Sequence, residues 1–456
     1  MISSNSPTHP DDVVLDFEEV DAVGVHRAVE AARVAQRSWW ELGALGRVNA
    51  LNRAAEAVAA RADEITKLGI REVGKPRTEM EGETARGVAI LRYYAQAVLD
   101  PDGTSLPSPA VGGLVIARRR PYGVVGIITP WNFPVAIPLW KAAPALAYGN
   151  TVVCKPAPAA TAVALLVEEI IAPFLPANAF TVVTGDQVTG EALISEVDCV
   201  SFTGSRGVGS AVVRAATARG IPVQAEMGGQ NPSIVLPDAD VESAASVIAG
   251  AAMGFSGQKC TATSRVIVVG DPSRFTEALR EAIASLPVGD PSLRETVIGP
   301  VVSEAAVSAV IDAVADAKGA GGRILYGGDR IDLAGYFVEP VLLDGVGPGA
   351  RVAQEEIFGP FAVLLGARDD DEAVEMANGV RFGLVSAIFT NDLTRALDLT
   401  SRLETGLVRV NAPTSGVDFH APFGGIKDSS YGSREQGKAA QEFYTWIQTL
   451  TVLAAS

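Results

Sequence analysis

The segment GFSGQKCTATS, residues 254–264, sets Cys260 among small and polar side chains. A thiol in such a loop is open to a substrate, and its thiolate is a strong nucleophile. An ordinary cysteine has a pKa of about 8.5, so a working one needs a partner that takes its proton. The chain has three histidines, His9, His26 and His420. His9 lies in a polar terminal stretch and His26 in a surface helix. That leaves His420, in VDFHAPFGG, for a Cys–His couple. The other candidate base is a carboxylate. Glu226 closes the apolar run IPVQAEMGG, residues 221–229. A partly desolvated acid there has the raised pKa that a general base requires. At the level of the residues, both partners remain open.

The bulk properties narrow the setting. Lys and Arg number 37 against 53 Asp and Glu, a net charge of −16. Phosphate backbones and anionic lipid require a basic face, so neither nucleic acid nor a membrane is expected as partner. Cys154, Cys199 and Cys260 make no disulfide framework and no zinc-ligand spacing. No metal is expected, and a reducing cytoplasm suits the chain. The start, MISSNSPTHPDD, has no apolar core of a signal peptide. The stretch Pro121–Trp140 carries no charge and is long enough to span a bilayer, but it holds Pro121, Pro130, Pro134 and Pro138. Each interior proline costs a helix about 3 kcal/mol, which excludes a regular spanning helix.

The elements that position these groups follow from periodicity. Residues 21–42, 47–74 and 77–99 read as helices without evident chemistry, with no strand expected before Pro7. From residue 123, short apolar strands alternate with helices: GVVGIIT, NTVVCKP, AFTVVTG, VDCVSFTGS and IPVQAEMGG. That alternation predicts a doubly wound parallel sheet with its ligands at the strand carboxyl ends. It restarts after Gly229, predicting a second α/β unit. The tail FYTWIQTLTVLAAS reads as a strand open to pairing with another chain.

FTGSRGVGS follows a strand and precedes a helix, where a phosphate-binding turn belongs. Its glycines, Gly204, Gly207 and Gly209, do not form the G-x-G-x-x-G fingerprint. A mechanical reading would make Glu226, 22 residues beyond Gly204 (226 − 204), the ribose ligand.

AEMGGQNPSIV (225–235) followed by GFSGQKC resembles the signature pair of the aldehyde dehydrogenase superfamily. TPWNFP (129–134), CKPAP (154–158), FTGS (202–205), EEIFGP (355–360) and PFGGIKDSSYG (422–432) resemble further motifs of that family, in the same order. The resemblance implies an α/β fold: a Rossmann-type cofactor domain, an α/β catalytic domain and a small β oligomerisation element. The dinucleotide-binding domain would comprise residues 1–101 and 122–228, and the catalytic domain 229–428. Residues 102–121 and 441–456 would form bridging strands of a homodimer or homotetramer.

By the same resemblance Cys260 is the nucleophile, Glu226 the general base and Asn132 the oxyanion donor. Thr129, Pro130, Trp131, Lys155, Pro158, Gly204, Ser205, Gly228, Glu356 and Phe358 would meet the cofactor, NADP or NAD. Many family members carry a Glu two residues after the KP of CKPAP, where it repels a 2′-phosphate. This chain has Ala157 and then Pro158, which implies that NADP is accepted. Gln230 replaces a usual Lys and Met227 a usual Leu. The substrate is a small-molecule aldehyde, with Ile137, Trp140, Lys259, Thr261 and His420 as pocket candidates. SSYGSREQG, residues 429–437, resembles the subgroup that oxidises 2-oxoglutarate semialdehyde (2,5-dioxopentanoate). The alternatives are a Cys-dependent acyl transferase or hydrolase without nicotinamide, and a CoA-acylating aldehyde dehydrogenase.

Overall fold

Five apolar runs pair side by side in the spatial order Val223–Glu226, Cys199–Thr203, Val124–Thr129, Thr151–Pro156, Phe180–Val182, all parallel. The computed structural model describes residues 1–416 and 418–453; Val417 and the tail residues 454–456 fall outside them. The first four strands are buried throughout because helices cover both faces of the sheet. Side chains alternate between the two sides. Val125, Ile127, Val152 and Cys154 join a core with the helices Gly43–Ala60, Arg77–Ala97, Ala136–Ala147 and Thr161–Ile171. Val124, Ile128 and Val153 join another with Ala22–Glu41, Gln187–Glu196 and Arg206–Ala218.

Gly228 and Gly229 carry the chain from Glu226 directly into Asn231–Val235, a strand of a second sheet. Its order is Arg323–Tyr326, Val341–Asp344, Phe361–Ala367, Thr263–Val269, Asn231–Val235, Val385–Phe389, Leu407–Val410, parallel except for the first. The carboxyl edge of one sheet thus meets the amino edge of the other. Glu226 ends a strand of the first; Cys260, Glu356 and Phe358 lie just before strands of the second. A short strand, Ser430–Tyr431, returns antiparallel to the first sheet and sets Ser430 opposite Glu226.

A third sheet joins Gly103–Leu106, Leu114–Pro121 and the tail strand Thr445–Val452. The tail pairs within its own chain, from Thr445 opposite Pro121 to Val452 opposite Leu114. It still presents one free edge, with Ile447 and Val452 exposed.

Two sequence expectations change. Residues 47–74 are two helices, because Arg61 leaves helical geometry (φ −107°, ψ 19°) and Ala62–Val73 starts afresh with Asp63 and Glu64 in its first turn. A strand does precede Pro7: Ile2–Asn5 pairs with Val13–Phe17. It is anchored by Ser4, whose hydroxyl donates to the buried Glu72 carboxylate at 2.9 Å, a long-range tie invisible to periodicity. The uncharged Pro121–Trp140 stretch resolves into strand, turn and helix start. Among the described residues no helix is long and apolar enough to cross a membrane.

Candidate active site

The helix Val241–Met253 ends in an unusual turn. Phe255 (φ 54°, ψ 39°), Ser256 (φ 54°, ψ 34°) and Gly257 (φ 63°) are all left-handed. A non-glycine residue there costs about 1–3 kcal/mol, so the surroundings must hold it. They do so with three bonds. The Phe255 N–H donates to the Val297 carbonyl at 3.0 Å. The Ser256 hydroxyl donates to the Gly299 carbonyl at 2.7 Å. The Gln258 side chain accepts from the Val302 N–H at 2.8 Å. A Cβ on Gly257 would overlap the Gly359 carbonyl oxygen, so a glycine is required. Beyond the turn, the Asn231 amide donates to the carbonyls of Cys260 and Ala262, both at 2.8 Å. Cys260 is therefore fixed from both sides.

Cys260 is partly buried, whereas Cys154 and Cys199 are fully buried. Burial pushes the Cys260 pKa well up, and the nearby carboxyl groups of Glu356, Glu226 and Glu435 add to this. Only its own backbone N–H pulls the other way. That N–H donates to no protein oxygen among the described residues.

Glu226 is buried. Burial, and then Glu435, raise its pKa far above the usual carboxylate range, against the Ser430 hydroxyl, Lys141 and Arg434. Ser430 donates to one carboxylate oxygen at 2.5 Å. The other, Oε1, is buried without a partner among the described residues. Glu435 is itself held by the Lys141 ammonium, which also donates to the Ser201 hydroxyl at 2.9 Å.

Asn132 follows the strand Val124–Thr129. Its amide donates to the Gln258 carbonyl at 2.9 Å, and its backbone carbonyl accepts from the Lys75 ammonium at 2.9 Å. Lys75 is fully buried, paired with Glu83 at 2.5 Å and stacked 3.4 Å from the Phe133 ring centre. Glu83 in turn accepts the Val135 and Ala136 N–H groups at 2.8 and 2.9 Å. The amide keeps one N–H to spare, and no second acceptor for it occurs among the described residues.

The candidate cofactor residues up to Gly228 sit along the carboxyl edge of the first sheet, and Glu356 and Phe358 precede a strand of the second. Thr129, Pro130 and Trp131 follow the central strand, and Trp131 packs edge-on to Phe358 and Phe255. The buried Lys155 donates to the Pro156 and Gly185 carbonyls at 2.8 and 3.0 Å, and Pro158 opens a short 3₁₀ turn. Gly204 and Ser205 lead into the helix Arg206–Ala218, whose first turn carries no side-chain cap. Gly228 permits the close approach of Glu356, which accepts from the Gly229 N–H at 3.1 Å; burial raises Glu356 to about 7. The uncapped helix start and the orphaned Thr129 and Thr203 hydroxyls match the donors and acceptors a dinucleotide needs.

A cavity of about 440 Å³ opens onto Cys260. Ile137, Trp140, Lys259 and Thr261 line it as expected, together with Phe133 and Phe423. His420 does not. Phe419 packs against Tyr93 (5.7 Å between ring centres), and His420 lies exposed against the edge of Phe419 (5.9 Å). The Cys–His couple is therefore not formed. Lys259 reaches the cavity already paired with Glu79 at 2.5 Å.

Several residues escaped the sequence reading. Ser430, Lys141, Glu435 and Asn231 act across more than 25 positions, and no local pattern betrays them. The helix Arg77–Ala97 did offer a signal: Glu79, Glu83 and Arg86 recur at helical spacing on one face.

The sequence matches the profile of the aldehyde dehydrogenase family over residues 1–450. It is 44% identical to an alpha-ketoglutaric semialdehyde dehydrogenase of Bacillus subtilis, across 99% of this chain and 94% of that one. The fold superposes with a TM-score of 0.95 on an NAD-dependent aldehyde dehydrogenase from Sinorhizobium meliloti, at 33% identity, over 99% of this chain and 91% of that one. It superposes equally, at 0.95 and 33% identity, on an NADP-dependent enzyme of Escherichia coli, over 99% and 94%.

Two outcomes are expected. Iodoacetamide should label Cys260 alone in the folded protein, with a rate that climbs steadily from pH 7 to pH 9, because a raised thiol pKa leaves little thiolate at neutrality. A rate flat across that range would contradict the raised pKa. Gly257→Ala should lower Tm by several degrees and reduce turnover at least tenfold, since it forces the left-handed turn off Gly359. Unchanged melting and turnover would show that the turn tolerates a side chain.

Proposed function

The chain belongs to the aldehyde dehydrogenase family, and from that premise we propose that it oxidises an acidic semialdehyde of the 2-oxoglutarate semialdehyde type. The observation that carries the reading is a pinned, partly buried thiol lining the cavity, beside an amide with a spare N–H tied to the carbonyl of Gln258 and a buried acid close enough to act on the thiol. In the proposed reaction Glu226 takes the Cys260 thiol proton and passes it to solvent, the sulfur bonds the aldehyde carbon, and the carbonyl electron pair moves onto oxygen. The Cys260 and Asn132 N–H groups receive that oxyanion; one such donor is typically worth about 10²–10³ in rate. A nicotinamide held by these residues would supply the acceptor for the hydride, and the acyl group left on Cys260 is a thioester. Glu226 then takes a proton from water, whose oxygen bonds the acyl carbon as the C–S bond breaks. The acid leaves and the thiolate is regenerated. A raised pKa suits Glu226 to that task, and a base able to activate water supports hydrolysis over transfer to coenzyme A.

For the cofactor, Glu356 would hold the nicotinamide ribose, Phe358 would flank the ring, and Lys155 would meet the adenosine ribose. Gly204 and Ser205 would face the diphosphate. No carboxylate stands at Pro158 to repel a 2′-phosphate, which supports use of NADP as well as NAD. In this reading residues 1–101 and 122–228 form the dinucleotide-binding domain and 229–428 the catalytic domain. The strands within 102–121 and 441–456 serve a homodimer or homotetramer, supported by the free edge of the third sheet. Three unpaired cysteines support a reducing, cytoplasmic setting.

With a panel of aldehydes, 2,5-dioxopentanoate should give a kcat/KM at least tenfold above that of pentanal, and Cys260→Ser should abolish turnover. Preference for the neutral aldehyde would overturn the substrate assignment. Initial rates with both cofactors should show NADP turned over, and Pro158→Glu should cut kcat/KM for NADP at least tenfold relative to NAD. Strict NAD dependence of the native protein would refute it.

A further inference from the structure

Four charged side chains line the cavity at Cys260: Glu79, Glu83, Arg86 and Lys259. Three are spoken for. Glu83 is paired with Lys75 and accepts two backbone N–H groups. Lys259 is paired with Glu79. Burial pushes the Glu79 carboxyl up, but Lys259, Lys75 and Arg86 pull it below the usual range, so it stays ionised and its charge offsets that of Lys259. Arg86 alone of the four has no hydrogen bond or ion pair among the described residues, and it is half-buried.

Arg86 also shares a face with an opening. Glu79, Gly82, Glu83 and Arg86 fall at i, i+3, i+4 and i+7 along Arg77–Ala97, so one stripe of that helix forms the cavity wall. A Cβ on Gly82 would meet nothing within 4 Å. No packing therefore demands a glycine there, although glycine costs a helix about 1 kcal/mol against alanine. Its effect is to leave room beside Arg86. The opposite wall, Phe133, Ile137, Trp140 and Phe423, is aromatic and aliphatic. An aldehyde held at Cys260 would lie along that apolar wall with its far end toward the helix.

We propose that Arg86 binds the carboxylate at the far end of the substrate and so determines specificity for acidic semialdehydes. The guanidinium fork matches a carboxylate bidentately. Lys259, the cation nearest the nucleophile in sequence, does not perform this role, because Glu79 occupies it. The inference rests on the proposed acidic-semialdehyde reading and gives it a residue.

The experiment compares kcat and KM of the native protein, Arg86→Gln and Arg86→Lys on succinate semialdehyde, 2,5-dioxopentanoate and pentanal. A lost charged hydrogen-bonding partner should lower the acidic-to-neutral ratio of kcat/KM by about tenfold to a hundredfold in Arg86→Gln. The loss should appear in KM for the acidic substrates, and Arg86→Lys should recover part of it. If the native protein favours acidic substrates and Arg86→Gln keeps the native ratio, Arg86 is not the anchor and the substrate class stands. If the native protein favours pentanal, both the substrate class and the anchor fall.

Discussion

One hydrogen bond, from the Asn132 side-chain amide to the Gln258 carbonyl, ties the two halves of the site together. Asn132 belongs to the carboxyl edge of the first sheet and Gln258 to the turn that delivers the nucleophile to the second. Each is held by its own side. Lys75 and Glu83 lock the backbone at Asn132, and the left-handed turn at Phe255–Gly257 locks Gln258. The separation of the Cys260 thiol from the Asn132 amide is thus set by contacts on both sheets, which is the preorganisation that the proposed acyl chemistry demands.

The second constraint is electrostatic. Glu226, Glu356 and Cys260 share a region where burial raises all three pKa values. Three groups that resist ionisation store protons near neutral pH, and each becomes a stronger base once it gives its proton up. Lys141 and Arg434 keep this arrangement from excluding charge altogether, since both favour ionised Glu226. A buried site with tethered cations beside it favours a neutral thiol at rest and still accommodates an ionised Glu226.

The sequence made the local parts of this site legible. Cys260 stands out in a small-residue loop, Glu226 at a strand end, and Asn132 in a proline-rich apolar stretch. Alternating apolar runs predicted the first parallel sheet and a second α/β unit after it. What stayed hidden depends on distant pairing. Nothing near His420 in sequence reports that Phe419 turns toward Tyr93 and leaves the histidine outside. Nothing near Lys259 reports Glu79, which lies 180 positions away. The N-terminal strand was missed because its anchor, Glu72, is buried 68 positions downstream. Arg86 was passed over within a helix that looked purely structural, although its spacing with Glu79 and Glu83 was there to be counted.

The pairing of Ser430 with Glu226 spans 204 positions. At about 5–20 residues per second, a ribosome takes about 10–40 s to make the chain between them. Throughout that interval the first sheet's four neighbouring strands already exist, but the acid at its edge has no hydroxyl to hold it. Lys141 likewise waits for Glu435. The partners that hold the acid at this sheet edge are therefore among the last residues the ribosome adds.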